Sequence, residues 1–124
     1  MNLSAASVYR RVFLESASPG RVLDELYGAL LQDCAQAERL IAARDVAGKG
    51  RAIAHAIDIL TELTAALDHQ AAPELCVNLS RLYLFARDRL IEANVHMAAP
   101  PIADVVRVLG PIREAFQKAT AAAP

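Results

Sequence analysis

The chain has 124 residues, a formal net charge of −1 and a hydrophobic fraction of 55%. This length suits one domain with a substantial core and is too short for two. The near-neutral charge, without an arginine-rich run, excludes the electrostatic footprint of a nucleic-acid-binding protein. No signal-peptide pattern is present, and no apolar run reaches the roughly 18 residues of a membrane span. We therefore expect a cytoplasmic protein that does not insert into a membrane.

The composition favours helices over strands. The chain is rich in Ala and Leu, lacks Trp and has only three Tyr and three Phe residues. Aromatic and β-branched residues are therefore too scarce for a sheet protein. Cys34 and Cys76 lie inside helical patterns without metal-ligand spacing. We expect both to be reduced, partly buried thiols.

Helix-breaking residues divide the chain into four helical segments. Asp45 is placed to cap the second segment, and Pro73 and Pro101 suit the first turns of the third and fourth. Because the connections are short, neighbouring helices must be antiparallel, which predicts an all-α, up-down-up-down four-helix bundle. The predicted helices span about 19–44, 46–69, 73–97 and 101–119, within a bundle of residues 18–120, preceded by an N-terminal segment of residues 1–17 and followed by a frayed C-terminus of residues 121–124.

Apolar residues recur three and four positions apart in every segment, as on the inward face of a helix in a bundle. Those predicted to face inward are Leu23, Leu26, Tyr27, Leu30, Cys34, Ala37 and Ile41 in the first segment; Ile53, Ile57, Leu60, Leu63 and Leu67 in the second; Leu75, Leu79, Leu82, Ala86, Leu90, Ala93 and Met97 in the third; and Ile102, Val105, Leu109, Ile112 and Phe116 in the fourth.

The third segment carries a second set of apolar residues on nearly the opposite side. Val77, Leu84, Ile91 and Val95 share this side, and we call them the outer stripe. Ile59 continues the feature more weakly on the second segment. Three explanations stay open: another helix or loose packing covers the stripe, the stripe lines a groove for a partner helix, or it forms a homodimer seam.

No catalytic or metal-binding constellation is evident. His55 has Asp58 within one helical turn, and His96 has Glu92, but each is a single pair expected to be a surface contact. The Glu-x-x-His motif of di-metal bundles is absent, and Gly48-Lys49-Gly50 is too short for a phosphate loop. We expect no enzyme activity, no metal and no cofactor.

Several short motifs occur in a specific order along the chain. They are Tyr9, the helix start Ser16-Ala17-Ser18-Pro19, the pair Leu26-Tyr27, and the third-segment signature Asn78-Leu79-Ser80-Arg81-Leu82-Tyr83 with Arg89-Leu90-Ile91-Glu92-Ala93-Asn94. In this order and spacing they resemble the FliS family of flagellar secretion chaperones, from about Tyr9 to Phe116. The resemblance implies a four-helix antiparallel bundle with a short N-terminal helical segment, in agreement with the pattern above.

The resemblance also implies a function. The disordered C-terminal segment of flagellin is expected to wrap the bundle and become helical on it, without ATP, so that flagellin does not polymerise before flagellar type III export. The export apparatus is a further expected partner, and the protein itself is expected to be a monomer or weak homodimer. The client-binding residues are predicted to be Ile59, Val77, Leu84, Ile91 and Val95 from the stripe, and Tyr9, Asn78 and Tyr83 from the resemblance.

Structural explanations stay open for two of these residues. Tyr83 lies near the edge of the inward face and fits a core position, and Asn78 fits a hydrogen bond to a neighbouring turn. The N-terminal segment is predicted to act as a lid, with Val8, Tyr9 and Val12 packed in the client groove until client displaces them. A fixed fifth element and a frayed end are the alternatives for this segment.

The sequence departs from the family pattern at several positions. Gly28-Ala29 follows the Leu-Tyr pair where Asp-Gly is common, Phe116 replaces a frequent Trp, Glu25 occupies a usually apolar position, and Pro100-Pro101 replaces a more acidic connection. These departures leave open a paralogue that serves another exported client. The outer stripe leaves open a homodimeric helical-bundle adaptor.

Overall fold

The computed structural model describes residues 19–122, which form four helices. Helix α1 packs against α2 and α4, and α3 packs against the same two helices, so α1 and α3 lie on one diagonal of the bundle. The predicted all-α four-helix bundle is confirmed, and the N-terminal segment of residues 1–17 lies outside the described residues. The helices are α1 (Pro19–Ala42), α2 (Val46–Ala65), α3 (Pro73–His96) and α4 (Pro100–Ala122).

Side-chain contacts between the helices show that neighbours run antiparallel. Lys49, in the first turn of α2, contacts Asn94, near the end of α3. Arg113, in the second half of α4, donates to Asp24, near the start of α1, with 2.8 Å between Nε and Oδ1. None of the helices within residues 19–122 combines the length and apolar character that a membrane crossing requires.

The inward face of α3 is rotated from the predicted one in its first half. Cys76 and Tyr83 are buried, whereas Leu75 is 51% exposed and Leu82 is only half-buried. The inward placement of Leu75 was wrong because the inward face passes through Cys76 and Tyr83, each one residue further along, and this turns Leu75 toward solvent. From Leu79 onward, the predicted and observed inward residues agree at Ala86, Leu90 and Ala93.

Ile59 is wrongly placed by the sequence on an exposed stripe. Its side chain is 0% exposed and belongs to the core. It lies seven residues after Ala52, on the side of α2 that faces α1. Because α2 packs against two neighbouring helices, its buried face is wider than the predicted inward face. An apolar residue beside that predicted face is therefore buried rather than exposed.

The helix ends follow local capping chemistry. Asp45 caps α2 as predicted, since its Oδ1 accepts from the Gly48 N–H at 2.9 Å. Arg44, two residues after the end of α1, lies in the left-handed region at a φ of 61°, and Met97, directly after α3, does so at 51°. Helix α2 ends at Ala65, four residues before the predicted end, and the Asp68 carboxylate then accepts from two backbone N–H groups of the following turn.

Helix α4 is longer than predicted. It starts at Pro100 and continues to Ala122, through the exposed Pro111. Its last residues, Ala119 to Ala122, include no residue that disfavours a helix strongly, so nothing stops the helix at the predicted residue 119. Residues 123–124 lie outside the described part of the chain, and fraying of residues 121–124 stays a prediction.

Candidate functional site

The outer stripe lies on the solvent-facing side of α3. The exposed fractions of its four side chains are 43% for Val77, 51% for Leu84, 44% for Ile91 and 70% for Val95. At about 100° per residue the four lie within an arc of about 40°. A contiguous exposed apolar surface of this kind usually marks an interaction site.

A groove between α2 and α3 adjoins the outer stripe. Its volume is about 520 Å³. Leu84 belongs to both the stripe and the groove, so the two form one surface. We call this cavity the α2–α3 groove, and its lining residues are Leu60, Thr61, Thr64 and Ala65 from α2 and Ser80, Tyr83, Leu84 and Arg87 from α3.

The polar groups on the α2 wall of the groove already have hydrogen-bond partners. The Thr61 hydroxyl donates to the Ile57 carbonyl at 3.0 Å, and the Thr64 hydroxyl donates to the Leu60 carbonyl at 2.8 Å. Both hydroxyls are therefore satisfied within α2 itself. Ala65 adds a methyl group to the same wall. This wall suits the apolar side of an amphipathic partner.

Tyr83 is a core residue whose ring also borders the groove. It is 3% exposed, and its hydroxyl is hydrogen-bonded to the hydroxyl of Tyr27, which is 0% exposed. Burial raises the pKa of both phenols. Tyr83 therefore takes the core position that fits the edge of the inward face, with its hydroxyl held inside the bundle by the tyrosine on α1. Its role as a client contact stays a prediction, because the residue also lines the groove.

Asn78 is exposed near the start of α3. Together with Pro73, Glu74 and Val77 it lines a shallow depression. Within residues 19–122 its side chain has no hydrogen-bond partner, so the hydrogen bond to a neighbouring turn considered above is not formed. Its position next to Val77 leaves it available to a partner on the outer stripe.

Lys49 forms a contact that the sequence analysis missed. It is 5% exposed, and its Nζ donates to the Asn94 carbonyl at 2.9 Å and to Asn94 Oδ1 at 2.8 Å. The ammonium group thus meets the carbonyl end of α3, where the helix dipole favours a cation. The available signal was its spacing, since Lys49 lies four residues before Ile53 on the inward face of α2. Asn94, a motif residue, has a structural role here.

The histidine pairs differ from those predicted. His55 Nδ1 contacts Asp33 Oδ2 on α1, while Asp58 is exposed. Burial raises the pKa of Asp33, and the hydrogen bond from His55 partly offsets this effect. Glu92 pairs with Arg89 rather than with His96. In the described part of the chain, no group of three or more His, Cys, Asp or Glu side chains could hold a metal ion.

The N-terminal site residues cannot be placed on this surface. Val8, Tyr9 and Val12, predicted to form a lid, lie outside residues 19–122. The predicted contacts Val77, Leu84, Ile91 and Val95 are brought together on α3, with Asn78 beside them. Ile59 is separated from them by burial, whereas Tyr83 is buried but lines the groove beside Leu84.

Known proteins match almost the whole chain. The family described as "Flagellar protein FliS" matches residues 1–123. The chain is 32% identical over 120 residues to the flagellar secretion chaperone FliS of Salmonella typhimurium, covering 93% of this chain and 89% of that protein. It is 35% identical over 96 residues to the flagellar secretion chaperone FliSB of Pseudomonas aeruginosa, and this match covers 74% of this chain and 76% of that protein. For the FliS of Vibrio cholerae, the identity is 23% over 114 residues, covering 89% and 84%.

Proposed function

The chain belongs to the FliS family of flagellar proteins, and we propose that it is a cytoplasmic, ATP-independent chaperone for flagellin. In this proposal it binds the disordered C-terminal segment of flagellin, which becomes helical on the outer stripe and the α2–α3 groove. Flagellin polymerises through its terminal helices, so burying the apolar side of this segment prevents premature assembly. The bound client remains competent for flagellar type III export, and the export apparatus is a further partner.

One observation carries the proposal: a continuous apolar surface formed by the outer stripe and the groove. Amphipathic helices bind by placing apolar residues at positions i, i+3, i+4 and i+7 in such a groove. From Val77 to Val95 the stripe extends over about 27 Å at 1.5 Å per residue. A client helix of about five turns therefore matches its length.

Binding energy alone is enough for this task. Ordering a disordered segment costs several kcal/mol of the gross interaction energy. An extended apolar contact can therefore be long and specific and still release its client. No nucleotide is required for a cycle in which the export machinery removes the client.

The departures from the family pattern lie away from this surface. Glu25 is exposed on α1 and pairs with Arg21 at 3.2 Å. Gly28 underlies the Arg113 guanidinium, and Ala29 packs against the core. The Phe116 ring packs against the Tyr27 ring in a tilted arrangement, with centroids 5.8 Å apart. None of these residues lines the α2–α3 groove. This supports flagellin as client over a different exported protein.

The N-terminal lid stays a prediction. Val8, Tyr9 and Val12 are proposed to occupy the client surface in the free chaperone and to leave it when client binds. Tyr9→Ala should then raise client affinity and increase the mobility of the N-terminal segment, as measured by NMR relaxation. Unchanged affinity and unchanged mobility would remove the lid from the proposal.

A polymerisation assay tests the chaperone function. Flagellin monomers from the same organism are seeded, and filament growth is followed by light scattering with and without an equimolar amount of this protein. The unmodified protein should suppress growth, and Leu84→Glu, which places a charge on the exposed stripe, should not. Val106→Glu is the matched control, since Val106 is 37% exposed on α4, away from the groove. If filament growth is suppressed neither by the unmodified protein nor by the control, the proposal is contradicted.

The homodimeric adaptor remains the alternative because the same exposed stripe would suit a second copy. A solution mass of the free protein separates the two. A dimer that Leu84→Glu dissociates would favour the adaptor, whereas a monomer leaves the stripe available to a client.

A further inference from the structure

The α2–α3 groove contains a single charged group among its described lining residues. Of the side chains that line it, only Arg87 is ionised at neutral pH. The α2 wall opposite supplies Leu60, Thr61, Thr64 and Ala65, none of which can neutralise a guanidinium group. The groove is therefore apolar with one fixed positive charge.

Among residues 19–122, Arg87 has only a weak partner. Its Nη2 lies 3.5 Å from Oδ1 of Asp88, the next residue on the same helix, and the two side chains are 48% and 64% exposed. Ion pairs of this exposed kind contribute little, because solvent screens them. The guanidinium group is thus free to exchange this contact for a better one.

The position of Arg87 makes it unavoidable for a helical client. Along α3 it lies three residues after Leu84 and four before Ile91, both of the outer stripe. A client helix that contacts both Leu84 and Ile91 must pass beside Arg87, which lies between them along α3, and must displace water from its guanidinium group. The long, exposed contact with Asp88 compensates this charge poorly once water is removed, so a client that supplies a carboxylate there gains affinity over one that does not.

We propose that Arg87 is a specificity-determining residue that selects clients with an acidic side chain between two apolar turns. The carboxylate of a client Asp or Glu pairs with the guanidinium group, whose fork of N–H donors matches a carboxylate in two-point contact. The apolar anchors of the client flank this acid by three or four residues on either side. This inference rests on the proposed function and adds to it the charge pattern of the client.

The test measures binding of a labelled peptide from the C-terminal segment of the organism's flagellin by fluorescence anisotropy. Arg87→Glu should lower the affinity at least about tenfold, because a like charge replaces the paired one. Arg87→Gln should lower it less and reduce its dependence on salt concentration. Arg39→Glu makes the same charge change on the exposed surface of α1, diagonal to α3, and should leave the affinity within about twofold.

A charge exchange completes the test. Each acidic residue of the peptide is replaced in turn by Lys, and one such peptide should bind the unmodified protein poorly and Arg87→Glu well. If Arg87→Glu binds as tightly as the unmodified protein while Leu84→Glu does not bind, the charge selection is overturned and the chaperone function stands. If the unmodified protein does not bind the peptide, both fail together.

Discussion

The hydroxyl groups of Tyr27 and Tyr83 are hydrogen-bonded to each other across the diagonal of the bundle. Their ring centroids are 6.4 Å apart, with the ring planes at 53°. Each hydroxyl is the only recorded hydrogen-bond partner of the other within the described residues. The pair joins α1 to α3, two helices that do not pack directly against each other, and Tyr83 also borders the proposed client groove.

We predict that the two tyrosines are energetically coupled. Tyr27→Phe or Tyr83→Phe alone should lower the free energy of unfolding by about 1–2 kcal/mol, because each leaves the other hydroxyl buried without a partner. The double variant should cost clearly less than the sum of the single ones. Urea denaturation of the four proteins measures the coupling. Additive losses would show that the hydrogen bond is not formed.

The same pair predicts the behaviour of the protein in alkali. Burial raises the pKa of both phenols in the folded state above the unfolded value of about 10. A group whose pKa is raised by folding contributes its stability below the unfolded pKa, and this contribution is lost as the pH rises above it. Stability should therefore fall above about pH 10, and less steeply in the Tyr27→Phe, Tyr83→Phe double variant. Equal slopes for the two proteins would contradict the buried pair.

Lys49 should be required for stability rather than for binding. Lys49→Met keeps the aliphatic stem but leaves the Asn94 carbonyl and Oδ1 without their donor, so we expect a loss of about 1–3 kcal/mol in the free energy of unfolding. Lys118→Met, on the exposed surface of α4, is the control and should change it by less than about 0.5 kcal/mol. Equal effects of the two substitutions would argue against the Lys49–Asn94 contact.

Arg44 is a position where glycine should stabilise the fold. The residue follows α1 with a φ of 61°, which side chains other than glycine adopt at a cost. Arg44→Gly should raise the free energy of unfolding by about 0.5–1 kcal/mol. Arg39→Gly, inside the last turn of α1, should lower it by about 1 kcal/mol. Thermal denaturation shows whether the two substitutions change the stability in opposite directions. A loss of stability in Arg44→Gly would contradict the left-handed conformation.

Local sequence signals were sufficient for the helices and their order. Asp45 and Pro73 mark helix starts by chemistry that acts within one turn, and both lie where predicted. The outer stripe was also visible, because Val77, Leu84 and Ile91 recur at seven-residue intervals on one face.

The contacts between helices could not be predicted from the sequence, because they depend on which faces of two helices meet. Ile59 was assigned to the surface because a single helix does not reveal that it has two neighbours. The Tyr27–Tyr83 bond and the His55–Asp33 pair join residues on different helices, so no spacing along the chain indicates them. The groove pairs Arg87 of α3 with an uncharged wall of α2, and no pattern within either helix indicates that these two surfaces face each other.

The measurement that tests the central claim most directly is a calorimetric titration of this protein with the C-terminal segment of its own organism's flagellin. The account predicts one-to-one binding with a negative heat-capacity change, as expected when apolar surface is buried, and a loss of binding in Leu84→Glu but not in Val106→Glu. No binding at high micromolar concentration, or binding that Leu84→Glu leaves unchanged, would contradict it.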